Sequence, residues 1–421
     1  AGGVVGAIYV ARKAGFRQVV TFDMGGTSTD VSLSQGDIRV TSETEVGGLP
    51  ISIPVIDIHA VGAGGGSIAH VDPGGALRVG PQSAAGDPGP ACYGKGGQQP
   101  TVTDANLVLG RLAPEHFLGG QMALKRVAAA AALERLAQQA GLEPAPGFMP
   151  AQTAALGVIE VVNAHMQRAL RVISVERGYD PRDFTLVAFG GAGGLHAGAL
   201  ARALGMRRAL VPRGASTLSA LGMLSADVVK DYVQTVMLGG GTPHAELGRL
   251  FAPLERRALR DMAGESFTAE SVQLECELDV RYLGQSYELT VPLCADYQAE
   301  YHRAHAKAYG HSDVEAALEI VNLRLRAVGP VGPVPLPRAW VGPADATAAL
   351  SEHRPVVFSD GIVETSFYAG EALRPGQIVS GPAVVTYADT TVLIAEGDAA
   401  TVDSWRNLVL EIAASEGHGS E

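Results

Sequence analysis

The stretch VVTFDMGGTSTDVSL, residues 19–33, joins two predicted β-strands through a loop of glycine and hydroxyl residues. Residues 19–22 form a short apolar, β-branched run of the kind found in buried strands. From Val31 onward the side chains alternate between apolar and polar, as in a second strand. The connection is therefore predicted to be a hairpin loop, and the chemistry of that loop decides how the chain is interpreted.

The loop is either a phosphate cradle or an ordinary turn of small polar residues. Gly25 and Gly26 lack a Cβ, so their backbone N–H groups can approach an anion closely and can adopt positive φ. Three hydroxyl donors follow them: Thr27, Ser28 and Thr29. Asp23 and Asp30 flank the loop with carboxylates suited to a phosphate-bound Mg²⁺ or to orienting a water. Two glycines alone favour a simple β-turn, but this combination favours phosphate binding.

The composition limits the class of protein. The chain has 421 residues, enough for two or three domains, and its 47% hydrophobic, 5% aromatic makeup is typical of a compact α/β protein. A formal charge of −12 argues against nucleic-acid binding, and no apolar run approaches the roughly 20 residues of a membrane span. Three cysteines (Cys92, Cys276 and Cys294) show no CxxC spacing. They favour a reducing cytoplasm and argue against a zinc site.

A second glycine-rich turn lies at a predicted strand-to-helix junction in FTLVAFGGAGGLHAGALARALG, residues 184–205. The turn consists of Gly190, Gly191, Ala192, Gly193 and Gly194. Small residues there let a ligand lie against backbone amides near a helix N-terminus. GxGxxG is matched only in part, and residues 209–213 (ALVPR) lack the acidic residue of a dinucleotide fold. His196 either packs against this loop or contacts a ligand.

Three further residues have two interpretations each. Asp57 and His59 end an apolar run just before the glycine-rich residues 62–66. They face a substrate or a second metal, or else the carboxylate accepts loop N–H bonds and the histidine is satisfied in the core. Cys92 is interpreted as a small buried hydrophobe rather than a reactive thiol.

The remaining pattern predicts the domain organisation. Helices are expected to begin near Ala105, capped by Thr103 and Asp104, and to cover residues 123–140, 151–177, 243–262 and 296–309. A hairpin is expected around residues 284–285. The predicted domains are an α/β lobe over 1–235 with a helical insertion at about 120–178, a helical linker over 236–265, and a mainly-β domain over 266–421. The last is interpreted as structural or as a docking surface.

Seven segments, in this order, closely resemble the hydantoinase A / 5-oxoprolinase family: FDMGGTSTDVSL, DIHAVGAGGGSIAHVD, GPQSAAGDPGPACYGKGGQQPTVTDANLVLGRL, AFGGAGGLHAGALA, VRYLGQSYELTVP, YGHSDVEAALEIVNLRLRA and GPAVVTYADTTVLI. That family includes ATP-dependent lactam and hydantoin hydrolases and β-type subunits of acetone and acetophenone carboxylases. The resemblance implies an α/β fold of the actin and sugar-kinase superfamily: an RNase-H-like lobe with Gly-rich loops, followed by a smaller mainly-β C-terminal domain.

The same resemblance assigns parts of the chain. Residues 23–30 resemble the family's second phosphate loop, and residues 190–194 resemble its adenosine loop. Family members carry an earlier Asp-x-Gly-Gly-Thr loop in an N-terminal lobe that these residues do not contain, so the chain is interpreted as a C-terminal half. Two departures stand out. The family usually reads Ser-Ala-Gly-Ala-Asp where this chain has SAAGD at 83–87, and it usually has Pro where this chain has Gly194.

The resemblance also implies a mechanism, namely phosphoryl transfer from MgATP to the oxygen of an amide or enolate, typically with a hydantoinase B-type partner subunit. Residues implied in nucleotide binding are Gly25, Gly26, Thr27, Ser28, Thr29 and 190–194. Asp23 is implied as the Mg²⁺ ligand, and Asp30 as the residue that locks the loop. The candidate catalytic residues are Asp23, Asp30, Asp57 and His59.

Three functions stay open at this point: an ATP-dependent hydrolase of small cyclic amides, a ketone carboxylase subunit, and a non-catalytic scaffold. Either a homo-oligomer or a hetero-oligomer is expected, without nucleic acid or membrane as a partner.

Overall fold

A computed structural model describes residues 1–41, 44–46, 49–51 and 55–414. Its helices are α1 (Gly2–Lys13), α2 (Val102–Val108), α3 (Arg126–Gln139), α4 (Pro150–Ile173), α5 (Gly193–Ala203), α6 (Leu218–Ser225), α7 (His244–Ala263) and α8 (Tyr297–Tyr309). None of these described helices is both long and apolar enough to cross a bilayer.

The strands of the first half are β1 (Val19–Met24), β2 (Thr29–Ser34), β3 (Val40–Thr41), β4 (Thr44–Val46), β5 (Leu49–Ile51), β6 (Val55–Ile56), β7 (His59–Val61), β8 (Ser67–Val71), β9 (Leu77–Ser83), β10 (Thr185–Phe189) and β11 (Arg208–Val211). The later strands are β12 (Val228–Gly239), β13 (Gln273–Tyr282), β14 (Leu289–Pro292), β15 (Leu318–Gly329), β16 (Leu350–Phe358), β17 (Gly361–Ala369), β18 (Ile378–Ser380), β19 (Ala383–Thr386), β20 (Thr391–Ile394), β21 (Ala399–Val402) and β22 (Leu408–Glu411).

The chain forms two compact units, residues 1–224 together with the chain from 334 onward, and residues 225–333. The larger unit is built on a sheet with the order β18-β21-β22-β11-β10-β1-β2-β7. Within it β1, β10 and β11 run parallel, while β2 runs antiparallel between β1 and β7. This arrangement of β7, β2, β1, β10 and β11 is that of an RNase-H-like sheet, so the predicted fold class is confirmed.

The predicted hairpin is also present, since β1 and β2 pair in register from Val19 opposite Ser34 to Met24 opposite Thr29. Val19, Val20 and Phe22 are each at most 1% exposed. A strand whose two faces are both covered needs apolar residues at consecutive positions, which explains why the run at 19–22 does not alternate.

The long predicted helix over 151–177 is observed as α4, but it ends at Ile173. The Ser174 hydroxyl donates to the Leu170 carbonyl at 2.6 Å, and a single 3₁₀ turn, Val175–Arg177, follows before Gly178 at φ +79°. A serine that bonds back to the preceding turn commonly bends or ends a helix. Gly178 therefore stops the 3₁₀ turn rather than the α-helix.

The predicted cap of α2 was wrong by two residues. Thr101 is the N-cap, and its hydroxyl oxygen accepts a bond from the Asp104 N–H (3.3 Å) while Asp104 accepts one from the Thr101 N–H (2.9 Å). This reciprocal capping box needs a spacing of three residues, which Thr103 and Asp104 do not have.

The smaller unit is a four-stranded antiparallel sheet, β12-β15-β13-β14, with α7 and α8. The predicted hairpin around 284–285 is confirmed as the β13–β14 pair. The predicted linker helix is α7, whose apolar face is buried in the core of this unit through Leu247, Phe251, Leu254, Ala258 and Met262. It is a structural component of the unit rather than a connection.

The last part of the chain belongs to the larger unit. β22 pairs antiparallel with β11, and β16, β17, β19 and β20 form a sheet of their own. The predicted range 266–421 is therefore divided between the two units near residue 333. The cause is a pairing between strands about two hundred residues apart, which no local pattern reveals.

Candidate functional site

The loop between β1 and β2 is a tight turn closed by a hydrogen bond from the Gly25 N–H to the Ser28 carbonyl at 3.1 Å. Gly26, Thr27 and Ser28 are exposed at its tip. The backbone amides and two of the predicted hydroxyls are thus available to a ligand.

A second glycine loop, residues 62–66, is hydrogen-bonded to this turn. The Gly65 N–H donates to the Gly25 carbonyl at 2.9 Å, and the Gly66 N–H donates to the Gly26 carbonyl at 2.7 Å. A Cβ at Gly64 would lie 2.7 Å from the Gly26 carbonyl and the Thr27 nitrogen. These glycines are evident in the sequence, but no local pattern indicated that they clamp the turn.

The two glycines of the turn are not needed for backbone conformation, contrary to the sequence-based expectation. Neither Gly25 nor Gly26 has φ in the left-handed region. A Cβ at Gly26 would meet no atom within 4 Å. What glycine supplies here is open space beside the amides, which a phosphate oxygen can occupy.

The turn at 190–194 adjoins the same place. Gly190 has φ +80°, and a Cβ there would lie 2.7 Å from Asp23 Oδ1. The Ala192 N–H donates to the Met24 carbonyl at 3.1 Å, and α5 begins at the next residue. The structure therefore brings the two predicted loops together, with a helix N-terminus beside them.

The turn between β19 and β20 also adjoins this place, although it lies in the part of the chain interpreted as structural or as a docking surface. The Thr390 hydroxyl donates to the Gly190 carbonyl at 3.2 Å, and Asp389 accepts from the Ser216 N–H and hydroxyl at 3.1 and 2.9 Å. Tyr387 lies in the same turn and lines the cleft. The sequence contained a signal for this contribution, because GPAVVTYADTTVLI is one of the seven segments that resemble the family.

Together these loops enclose a cleft of about 870 Å³, counting its open mouth. One side is glycine backbone with Thr103, and the opposite side is apolar and aromatic. The larger side chains of that side are Tyr93, Leu112, His116, Phe117 and Leu118. A polar, amide-rich end and an apolar end in one cleft suit a ligand with a charged group attached to a flat organic group.

Asp23 lies two residues before Gly25 of the turn, opposite Asp30 across the hairpin and beside Phe189 of β10. Burial, and then the charge of Asp30, raise the pKa of its carboxyl group to about 6. Among the described residues it has no hydrogen-bond or ion-pair partner. A half-buried carboxylate without a partner is suited to a cation. No group of three or more such ligands occurs in the described part of the chain, so a Mg²⁺ here would need phosphate and water oxygens as well.

The predicted roles of Asp30 and Thr29 are not observed. The Asp30 carboxylate makes no hydrogen bond to any residue the structure describes, so it does not lock the loop. Thr29 is fully buried, and its hydroxyl donates to the Ala63 carbonyl at 2.5 Å. Thr29 therefore anchors the turn to the 62–66 loop and is not free to contact a nucleotide.

Asp57 and His59 do not line the cleft. The Asp57 carboxylate forms an ion pair with Arg177, and the backbone carbonyl of Asp57 accepts from the Ser32 hydroxyl at 2.7 Å. His59 lies in a different pocket, against α4.

His196 and Cys92 are both core residues. His196 is 1% exposed, its Nδ1 lies 2.7 Å from Asn163 Oδ1, and burial followed by the charge of Arg111 lowers its pKa to about 3. Burial, and then Asp104, raise the pKa of the fully buried Cys92 thiol. Both side chains are therefore neutral, and the packed interpretation of each agrees with the structure.

The two departures from the family pattern have visible consequences. Ala85 adopts φ +53°, at the position where the family pattern has glycine, and a left-handed conformation costs a side-chain-bearing residue about 1–2 kcal/mol. Gly194 lies inside the first turn of α5, where a Cβ would meet the Thr391 carbonyl oxygen at 2.6 Å. The first departure strains its loop, and the second allows close packing of α5 on β20.

Comparison with known proteins gives the same assignment as the seven segments. The family model described as Hydantoinase/oxoprolinase matches residues 1–232, and its companion, the Hydantoinase/oxoprolinase C-terminal domain, matches residues 242–413. The chain belongs to the hydantoinase/oxoprolinase family. The resemblance inferred from the sequence is thereby confirmed.

Individual relatives of this family carry different names. The caprolactamase subunit alpha of Pseudomonas jessenii is 37% identical over 94% of this chain and 58% of the relative. The 5-oxoprolinase 1 of Arabidopsis thaliana is 34% identical over 98% of this chain and 34% of the relative. Nucleotide-free acetone carboxylase, an enzyme of ATP-dependent acetone carboxylation, superposes with a TM-score of 0.85 at 28% identity, over 98% of this chain and 61% of that one. The chain thus spans less than two thirds of the length of each.

Proposed function

We propose that this chain is the C-terminal portion of a subunit of an ATP-dependent hydrolase of cyclic amides, such as hydantoins or 5-oxoproline. The observation that carries the proposal is the cleft in which the turn at 25–28, clamped by the loop at 62–66, meets the turn at 190–194. Backbone amides and threonine hydroxyls line this cleft, and the unpartnered Asp23 carboxylate lies two residues before the turn. Such groups bind a polyphosphate and stabilise charge in phosphoryl transfer.

In this proposal each group has a separate role in nucleotide binding or phosphoryl transfer. The backbone amides of Gly26 and Thr27 and the hydroxyls of Thr27 and Ser28 bind phosphate oxygens, and the turn at 190–192 supports the nucleoside. Asp23 would hold a Mg²⁺ ion, directly or through water, and that ion would neutralise phosphate charge. The amide oxygen of the substrate takes the γ-phosphoryl group while ADP leaves, which activates the amide carbon. Water adds at that carbon, the ring C–N bond breaks as its nitrogen takes a proton, and a second water releases the phosphoryl group as inorganic phosphate.

A second candidate is a ketone carboxylase subunit that phosphorylates an enolate, and the superposition on acetone carboxylase favours it. The two chemistries use the same nucleotide cleft and differ in the acceptor. The third candidate is a non-catalytic scaffold. We favour the hydrolase because the relatives named caprolactamase and 5-oxoprolinase are 37% and 34% identical to this chain, whereas the acetophenone carboxylase gamma subunit is 32% identical.

We further propose that the subunit works with a B-type partner, in a homo- or hetero-oligomer, in the cytoplasm. Support for a partner comes from relatives that are themselves named as subunits, caprolactamase alpha and acetophenone carboxylase gamma. Three cysteines without disulfides are in keeping with a reducing compartment.

The proposal is tested by supplying the N-terminal lobe and the B-type partner and measuring ADP release with hydantoin, 5-oxoproline and caprolactam, and separately with acetone plus bicarbonate. We expect ADP release to require a lactam and to match ring opening. Ketone- and bicarbonate-dependent release would select the carboxylase, and no release with either class would select the scaffold. The 421-residue chain alone should turn over negligibly, and robust lactam-dependent turnover by it would overturn the requirement for the other parts.

Gly26→Ala provides a separate test of the phosphate cradle. A methyl group at Gly26 would meet no protein atom within 4 Å, so the free energy of unfolding should change by less than about 1 kcal/mol. The methyl group would occupy the ligand space, and we expect ATP binding by the complete subunit to weaken by about tenfold or more. Calorimetric titration and thermal unfolding measure the two effects. Unchanged affinity would exclude the turn from phosphate contact.

Gly64→Ala is the contrasting variant. Its methyl group would lie 2.7 Å from backbone atoms of Gly26 and Thr27, so the two glycine loops must separate. This variant should lose stability and binding together, whereas Gly26→Ala should lose binding alone.

A further inference from the structure

A second pocket lies behind the glycine loop, where the edge strand β7 and strand β9 face helix α4. It has a volume of about 840 Å³ including its mouth. Its polar lining consists of His59 from β7 and of His165 and Arg168 from α4, and the rest is apolar or glycine. None of the residues that line the nucleotide cleft lines this pocket.

The charged lining of the pocket is positive. No carboxylate occurs among the described residues that line it, although the chain has a formal charge of −12. Arg168 is exposed and has no ion pair or hydrogen bond with any described residue, whereas Arg177 is paired with Asp57. An unpaired guanidinium in an acidic chain leaves a positive site for a ligand to neutralise.

The three polar side chains line the same pocket from two elements. His165 and Arg168 are three residues apart on α4 and so share one face of the helix, while His59 lies on the strand opposite. Among described residues neither imidazole has a hydrogen-bond partner. An imidazole can donate an N–H in either protonation state, and a guanidinium offers paired donors that match a carboxylate or phosphate. The guanidinium argues against a metal ion bound by the two histidines.

The pocket is bounded by the loop that clamps the phosphate turn. A Cβ at Gly62 would lie 2.7 Å from the Pro81 side chain, so the wall between loop and β9 is closely packed. The same loop holds Gly25 and Gly26 through Gly65 and Gly66. An occupant of this pocket would therefore lie directly across one short loop from the nucleotide cleft.

We propose that this pocket binds a small oxyanion, a carboxylate or a phosphate, held by Arg168 with His59 and His165. The site is separate from the phosphate cradle and does not depend on the proposed hydrolase activity. Its ligand has two chemical sources, inorganic phosphate or a small organic acid, and L-glutamate serves as the probe of the second.

The experiment titrates inorganic phosphate and L-glutamate separately into the purified 421-residue chain and follows the histidine ring protons by NMR. His59 and His165 report on the pocket, and His116 reports on the nucleotide cleft. Arg168→Gln removes the proposed anchor. Arg171→Gln is the matched control, because it removes the same charge from an exposed position of α4 that does not line the pocket.

We expect saturable shifts of His59 and His165 with at least one probe, weakened by about tenfold or more in Arg168→Gln and by less than about twofold in Arg171→Gln. The probe that binds identifies the source of the anion. Shifts confined to His116, no saturable shift with either probe, or equal weakening in the two variants would overturn the proposal.

Discussion

Asp23→Asn in the complete subunit is expected to lower ATP turnover by roughly 100- to 1,000-fold. Asp23 lies at the end of β1, under the phosphate turn, and no described residue bonds its carboxylate. Asparagine keeps the shape but loses the charge that would hold Mg²⁺. Because phosphoryl transfer depends on neutralising charge at the phosphates, the loss should appear in turnover rather than in folding. Steady-state ADP release measures it.

The same substitution should increase stability at alkaline pH. Burial, and then Asp30, raise the Asp23 pKa to about 6 in the folded protein, above the value of about 3.9 in an unfolded chain. The folded state therefore holds this proton more tightly, and stability falls as pH rises from about 4 to about 6. Asparagine removes that loss, so the variant should be more stable than the wild type at pH 8 by about 1–2 kcal/mol after allowance for partial exposure. The difference should vanish toward pH 4, as denaturant unfolding at several pH values would show.

Asp37→Asn is the control for Asp23→Asn, since Asp37 is fully exposed and pairs with Arg12 outside the cleft. It should change neither turnover nor the pH profile of stability. Near-normal turnover in Asp23→Asn would remove Asp23 from the metal role. A loss of turnover accompanied by lower stability at pH 8 would instead indicate a structural role for the carboxylate.

The hairpin and the long helix could be predicted because their signals are local. The apolar run at 19–22, the glycines of the turn and the spacing along α4 each lie within a few residues of one another. The order of the strands could not be derived in that way, and it entered through the resemblance to a family. The division of residues 266–421 between two units was missed for the same reason, because it depends on β22 pairing with β11.

The candidate site was predicted only where its residues are consecutive. The clamp from Gly65 to Gly25 joins positions forty residues apart, and Arg177 reaches Asp57 across 120 residues. Nothing near Asp57 in the sequence indicates that its carboxylate is already paired. Thr390 is likewise bonded to Gly190 across 200 residues. Roles that depend on such contacts follow from the packing of the sheet and not from the motif itself.

Asp104→Ala is expected to lower the free energy of unfolding by about 3–5 kcal/mol. The fully buried carboxylate accepts bonds from the N–H groups of Ala91 (3.1 Å), Cys92 (2.7 Å) and Thr101 (2.9 Å), and from the Thr101 hydroxyl (2.8 Å). Alanine would leave three buried N–H donors without acceptors, and water has no access to replace them. Denaturant unfolding at neutral pH measures the loss.

The consequences of losing Asp104 should extend to the cleft, because its bonds fix both the start of α2 and the segment before Tyr93, which lines the apolar side. Asp72→Ala is a matched control, since Asp72 also accepts bonds from two N–H groups, of Gly74 and Ala76, and from Arg78, but in an exposed turn where water can replace it. We expect that variant to lose much less stability and to bind nucleotide normally. Equal losses in the two variants would show that the number of bonds matters and their burial does not, which would contradict the role assigned to Asp104.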